Sequence, residues 1–315
     1  MVRRADALGQ AVAGGTVVAV AGTHGKTTTT VMITEALAAA RRNPTGLAGG
    51  RVAQWGGNAR IGGHELFVVE ADEFDRAFLS LRPTVAVITN VEADHLECYG
   101  SLAALEQAFG EFAGRASRVI VGADDAGALR VAAGLKVPVW RVGLADDAEI
   151  RIRAVALAPF ESSALVRLPH GAEVTLRLRV AGLHNLRNAA TALAVAHALQ
   201  ADQTGALAAL ERFTGVARRF ERVGEAGGVM IVDDYAHHPT EVRATLAAAR
   251  QAFPRRRMVA VFQPHLFSRT ALHGEALGEA LAAADVVVVA PIYAAREQPL
   301  PGVTAEIVEI GRAHV

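Results

Sequence analysis

Gly22-Thr23-His24-Gly25-Lys26-Thr27-Thr28 is the segment whose residue types and spacing point most directly to chemistry. Glycines at 22 and 25 allow a tight turn, and successive backbone N–H groups at a helix start can surround a phosphate whose charge the helix dipole favours. The Lys26 ammonium can follow the β- and γ-phosphates of a nucleotide, and the Thr27 hydroxyl can bind Mg2+. The commoner phosphate loop has a glycine at position 20. Val20 stands there, so the match is to the tight Gly-x-x-Gly-Lys-Thr-Thr form. The plain alternative is a glycine turn that only starts a helix. Lysine usage argues against it: of 32 Lys and Arg residues, only Lys26 and Lys136 are lysine.

Further blocks follow at the ends of expected strands. Glu70-Ala71-Asp72-Glu73 places three carboxylates where ligands bind in open α/β sheets, and a carboxylate there can hold Mg2+. Asn90-Val91-Glu92-Ala93-Asp94-His95 brings His95, which could join a second Mg2+ or be purely structural, since Mg2+ prefers oxygen. Cys98 reads as a small buried residue, with no second element of a thiol site. In Gly182-Leu183-His184-Asn185-Leu186-Arg187-Asn188, Asn185 could cap a helix or, with Asn188, offer the donor–acceptor pair that an adenine edge needs. Asp233-Asp234-Tyr235-Ala236-His237-His238-Pro239 gathers two acids, a tyrosine and two histidines, and Gln263 to Thr270 offers Arg269 as an anion clamp.

The elements that must position these residues alternate. A β-branched strand over 16–21 meets the glycine loop, and a helical pattern runs over 27–40, the opening of a βα nucleotide unit. Strands at 66–69, 84–89, 119–121 and 137–142, with helices at 102–112 and 126–133, predict a mostly parallel sheet covered by helices. Partial alternation over 149–180 predicts an appended antiparallel meander, followed by helices at 186–199 and 204–213. A boundary is expected near Gly215. Beyond it strand 229–232, helix 240–253, strand 258–262, helix 271–284 and strand 286–290 predict a smaller Rossmann-like α/β domain. The fold class is therefore α/β in two parts: residues 13–214 with the phosphate loop, and 215–308, incomplete. Residues 1–12 read as a linker.

Composition narrows the classes. The 315 residues carry 32 basic and 32 acidic side chains, so no basic field draws nucleic acid or an anionic membrane surface. Hydrophobic residues at 51% supply a core, and no apolar run is long enough to span a bilayer. The single cysteine fits a reducing, cytoplasmic setting. Oligomeric state is not legible. Residues 310–315 also match one reading frame of a common sequencing adapter, so 309–315 is expected to be a non-native tail; these codons in an intact genomic locus would remove that reading.

In their order, the blocks resemble the Mur ligases of peptidoglycan synthesis, over about residues 13–306. Besides those above, Arg218-Arg219-Phe220-Glu221, Asp233 to Val242 and Phe262 to Thr270 take part. The resemblance is strongest to the alanine-adding branch and implies ATP and Mg2+ as cofactors, with UDP-N-acetylmuramate and L-alanine as substrates. By that similarity Gly22, Thr23, His24, Gly25, Lys26, Thr27 and Thr28 surround the ATP phosphates. Lys26, His95 and Arg219 are catalytic. Thr27, Glu70 and His95 hold metal. Asn185, Asn188 and Asp234 contact the nucleotide, and His237, His238 and Arg269 face the muramate or the amino acid.

Sister ligases hold their second metal with a carbamylated lysine. No lysine lies between His95 and Lys136, which agrees with the alanine-adding branch, where that device is missing. Complete members of the family carry a further UDP-binding domain, so the polypeptide as given is expected to bind ATP weakly and not to ligate. Two other readings are the branch that recycles a murein tripeptide onto the same sugar nucleotide, and a non-catalytic nucleotide-binding module.

Overall fold

The computed structural model describes residues 2–295 and 297–313, with the backbone alone at His170, Arg312 and Ala313. The chain forms two compact units: residues 1–156 with 161–217, and residues 157–160 with 218–315.

In the first unit, helix α1 (Arg4–Val12) precedes strand β1 (Thr16–Ala21), whose residues after Thr16 are all buried. Helix α2 (Lys26–Ala39) follows the glycine loop. Then come β2 (Thr45–Val52), β3 (Gly57–Arg60), β4 (Leu66–Glu70) and β5 (Val85–Ile88). Next are helices α3 (Leu96–Tyr99) and α4 (Leu102–Ala113), strand β6 (Arg118–Gly122), helix α5 (Ala126–Ala133) and strand β7 (Val139–Gly143). The meander is β8 (Ile150–Ala158), β9 (Glu161–Arg167) and β10 (Glu173–Leu178); helices α6 (Leu183–Ala198) and α7 (Gln203–Glu211) close the unit.

These strands form one ten-stranded sheet in the order β10-β9-β8-β7-β6-β5-β1-β4-β2-β3. Its centre is parallel: Val18 on β1 lies beside Val68 on β4 and Val85 on β5. β10 runs antiparallel to β9, as the 149–180 alternation predicts, and β3 runs antiparallel to β2. β2, β3 and α1 have no counterpart in the sequence reading: Gly46, Gly49 and Gly50 break the β2 pattern, and residues 4–12 form a helix where a linker is expected.

Helix α2 is buried on nearly all sides, against the sheet, α6 and α7. Of its threonines, Thr34 donates Oγ1 to the Thr30 carbonyl at 2.7 Å, whereas the buried Thr29 and Thr30 hydroxyls have no hydrogen-bond partner among the described residues. On the other face Phe78 stacks on Phe112 at 5.0 Å and meets Phe109 edge-on at 5.1 Å. Ser101, Asp125 and Asp202 cap α4, α5 and α7 with their side-chain oxygens.

In the second unit β11 (Glu221–Ala226) pairs antiparallel with β12 (Val229–Asp233). Gly227 and Gly228, at φ +56° and +78°, form the two-residue turn that such a hairpin favours. Helix α8 (Pro239–Ala252) starts on a capping box made by His238 and Glu241. β13 (Val259–Phe262) runs parallel to β14 (Val286–Val289), with α9 (Phe267–Leu281) between them in sequence and α10 (Glu306–Ala313) packed on α9.

Two expectations need correction here. The first strand of this unit joins a hairpin rather than the parallel pair, because the Gly-Gly turn brings β11 against it. Helix α9 begins at Phe267, ahead of the expected Ala271, so Arg269 lies on the helix rather than in a loop. Of the tail set apart on sequence grounds, 309–313 continue α10, and His314 and Val315 lie outside the described residues.

Candidate functional site

The glycine loop leaves the end of β1 and turns into α2. Gly22 has φ +134°, and a Cβ there would lie 2.0 Å from Thr89 Oγ1. Gly25, at φ +80°, is the N-cap of α2 and abuts Asn188, whose Oδ1 would lie 3.2 Å from an added Cβ. Both positions favour glycine for conformation, and Gly22 also for space. The segment after β5 clamps the loop. The Thr23 and His24 amides donate to the Asn90 carbonyl at 3.1 Å and to its Oδ1 at 2.8 Å, and the Thr89 hydroxyl donates to the His24 carbonyl at 2.6 Å. The Glu92 amide donates to Thr23 Oγ1 at 2.8 Å, and the His24 ring lies 3.3 Å from the Glu92 carboxylate. Asn90, just past β5, thus holds the glycine loop with both its carbonyl and its side chain.

Lys26 and Thr27 leave the loop on one side. Lys26 Nζ donates to the Gly22 carbonyl at 2.6 Å, the Thr23 carbonyl at 3.2 Å and Glu73 Oε1 at 2.8 Å. Burial works against the ammonium, but Glu73, Glu70 and Asp72 outweigh it and hold the Lys26 pKa above its ordinary value. Thr27 Oγ1 donates to Glu70 Oε1 at 3.0 Å, and the other Glu70 oxygen accepts from the Gly49 amide. Side chains at the start of α2 therefore meet those at and just after the end of β4, at the carboxyl ends of the parallel strands. A hydroxyl and a carboxylate, all oxygen, are a donor set that could hold a hard divalent cation. The first amides of α2 have no acceptor within the helix and remain the donors for an anion. Thr28 is buried in the same first turn.

His95 follows β5 in the chain as the N-cap of α3, with φ +54°, its ring edge-on to Phe74 at 5.1 Å and its Nδ1 3.3 Å from Glu97. Buried Asp94 accepts from the His95 amide at 2.9 Å. Asn185 is not the helix cap: α6 begins at Leu183 with Gly182 as N-cap, and Asn185 Nδ2 reaches back to the Ala181 carbonyl at 2.7 Å. Gly182, at φ +94°, takes a backbone conformation that an asparagine cap would not need. Asn188, one turn on, faces the glycine loop.

Within the second unit, Arg219 lies 3.6 Å from Glu241 and over the Tyr235 ring. Asp234 accepts from the amides of Phe220 and Ala236, each at 2.7 Å, so it ties β11 to the turn after β12; burial raises its carboxyl against those two bonds. His237 Nδ1 lies 2.9 Å from the Tyr235 carbonyl. Buried His238 caps α8 through Nδ1 and packs edge-on against His273 at 4.7 Å. Arg269 is buried, with Nη1 at 3.3 Å from His265 Nδ1. Glu73, one of the three carboxylates of the acid block, is singled out by its burial beside the glycine loop, and Glu241 by its capping-box spacing.

A phosphate-type loop with a lysine and an acid–hydroxyl pair, on a parallel sheet followed by a second α/β unit, defines a nucleotide-dependent enzyme class. The family comparison agrees. The model of the Mur ligase middle domain matches residues 20–196, and that of the Mur ligase glutamate ligase domain matches residues 218–312. The chain belongs to the Mur ligase family. Two curated relatives carry the name UDP-N-acetylmuramate–L-alanine ligase. That of Thermobifida fusca is 49% identical, over 97% of this chain and 67% of its own length. That of Streptomyces coelicolor is 44% identical, over 99% of this chain and 69% of its own. Among solved structures, the chain is similar to the UDP-N-acetylmuramate–alanine ligase of Thermotoga maritima, with a TM-score of 0.80 at 30% identity, covering 98% of this chain and 67% of that one. The murein peptide ligase of Psychrobacter arcticus gives 0.72 at 25%, covering 98% and 69%. This chain thus spans about two thirds of the length of those relatives.

Proposed function

We propose that this chain forms the ATP-using part of a ligase that joins L-alanine to the carboxylate of UDP-N-acetylmuramate, an amide-forming step of peptidoglycan synthesis in the cytoplasm. The observation that carries this is that Lys26 and Thr27, consecutive at the end of the glycine loop, both meet carboxylates of the acid block after β4, Glu73 and Glu70. Bound ATP with Mg2+ would supply the phosphoryl group that turns the unreactive muramate carboxylate into an acyl phosphate open to attack by an amine.

The residues divide the remaining work. Gly22 to Thr28 wrap the phosphates with backbone N–H groups, and Lys26 neutralises charge on the transferring group. Thr27 and Glu70 hold Mg2+ with oxygen ligands. His95, beside buried Asp94, is assigned to a second Mg2+ near the reacting carboxylate. Asn188, against the glycine loop, and Asn185 bind the nucleotide. In the second unit Arg219 and Asp234 serve the nucleotide, and His237, His238 and Arg269 the muramate or the amino acid. Residues 13–214 and 215–308 are assigned to the central and C-terminal domains. No helix among the described residues is long and apolar enough to cross a membrane.

The likeness to a murein peptide ligase keeps a tripeptide acceptor as the second reading. A chain extended to the full length of its relatives, given ATP, Mg2+ and UDP-N-acetylmuramate, is expected to release phosphate in step with amide formation when L-alanine is added, and far more slowly with the tripeptide. Preference for the tripeptide would replace the first reading with the second. ATP binding with no acceptor-dependent phosphate release would leave a nucleotide-binding module.

A further inference from the structure

Glu73 is a carboxylate that the phosphate-binding reading does not use. It is 2% exposed, one oxygen lies 2.8 Å from Lys26 Nζ, and the other is buried without a hydrogen-bond partner among the described residues. A buried carboxylate is costly unless paired, and Lys26 is the cation against it. The local backbone is shaped to bring it there. Asp75 and Arg76, at φ +52° and +55°, occupy the left-handed region in succession, which residues with a Cβ seldom do. Tyr99 donates its hydroxyl to the Glu73 carbonyl, and the Arg76 guanidinium covers the Tyr99 ring at 5.3 Å.

An ammonium has three protons to donate. Those of Lys26 are matched by three acceptors: the Gly22 carbonyl, the Thr23 carbonyl and Glu73. A phosphate can therefore gain a hydrogen bond from Lys26 only by displacing one of them. The two carbonyls belong to the loop that must itself wrap the phosphate, which leaves the carboxylate as the exchangeable acceptor.

We propose that Glu73 is a positioning residue, the acceptor that holds the Lys26 ammonium at the loop and is exchanged for phosphate when nucleotide arrives. This rests on the reading of Lys26 as a phosphate ligand. Holding the ammonium keeps the side chain turned back onto the Gly22 and Thr23 carbonyls, at the cost of nucleotide affinity, which is reduced by the fraction of molecules in which Lys26 is engaged. After the exchange the Glu73 carboxylate is left buried without its cation, a costly state that favours recapture of Lys26 and so product release.

The test exploits the two lysines. With 15N-labelled lysine, the ammonium spectrum holds Lys26 and exposed Lys136, the latter as internal reference. In the nucleotide-free wild type the Lys26 ammonium should exchange its protons far more slowly than Lys136, and Glu73→Gln should remove that protection. Titration with ATP and Mg2+ should show Glu73→Gln binding at least about threefold more tightly than wild type, because the competing state is lost. Glu73→Asp keeps the charge but withdraws the acceptor, so it should weaken protection in part and tighten ATP by less than Glu73→Gln does; this variant decides the matter if the amide protein does not fold. A Lys26 ammonium that exchanges as fast as Lys136 in the wild type, an unchanged or weaker ATP affinity in folded Glu73→Gln, or a Glu73→Asp protein with full protection overturns the exchange alone. Failure of ATP to bind any of the three proteins, with the ammonium behaving as stated, sinks the nucleotide reading and the exchange with it.

Discussion

Lys26 meets its three acceptors around a point charge. A guanidinium is planar, longer and presents its donors in a fork, so it cannot reproduce that arrangement. In the full-length enzyme, Lys26→Ala should abolish turnover, and Lys26→Arg should lose about 10²–10³-fold in kcat, the scale of one lost electrostatic contact to the transition state. Phosphate release under steady state measures both, and an arginine variant with most of its activity would show that the cradle is wider than described. Lys26→Met makes a separate statement about stability. It leaves Glu73 buried without its cation, a change that costs roughly 3–5 kcal/mol and is read from urea unfolding.

At the scale of elements, the glycine loop works because β1, α2 and the strand end after β5 are held in one register. Gly22→Ala forces a Cβ onto Thr89 and places alanine at φ +134°, so it should destabilise the first unit by at least about 1–3 kcal/mol and weaken ATP binding with it. Denaturant unfolding and ATP titration of the same sample check the two effects together. The turn between β7 and β8 supplies a pH-dependent clip. Arg141 pairs with Glu149 at 3.0 Å and Asp147 at 2.6 Å. Burial would raise the Glu149 carboxyl, but the Arg141 side chain and amide hold it below its ordinary 4.5. A carboxylate lowered in the folded state stabilises the fold above that value, and its contribution disappears as the pH falls through the lowered one. Acid unfolding of Arg141→Gln should therefore begin at a higher pH than that of the wild type. Equal acid midpoints would mean that the clip contributes nothing.

On the scale of the molecule, the first unit is organised by a ten-stranded sheet whose far face rests on Phe78, Phe109 and Phe112, all fully buried. Phe109→Ala should cost about 3–5 kcal/mol, seen as a lower urea midpoint, since a rigid cluster cannot collapse into the space. Much of this architecture was legible beforehand. β-Branched runs bounded by glycine, and helices with apolar faces at a 3.6-residue spacing, carry their identity in local sequence; so β1, α2, β6, α4, α5 and the meander lie close to where the residues predict them. β2, β11 and the start of α9 did not, because glycines and charged residues interrupt the alternation of strands whose partners follow directly in the chain, and because the first turn of α9 is held by Glu297, which accepts from Ser268.

The chain's own order of residues determined the chemistry on offer: a glycine loop with one lysine, an acid block a strand away, and the family that combines them. Local pattern suffices for that, since a phosphate loop is written in consecutive residues. Which acid serves which purpose was decided only by the folded structure. Glu70 and Glu73 are three positions apart and alike in type, yet Glu70 faces the Thr27 hydroxyl while Glu73 turns inward to Lys26. That choice depends on backbone directions after β4 and on the Tyr99 and Arg76 contacts from sequence-distant and neighbouring residues, and only the packing of α3 against this loop brings them together.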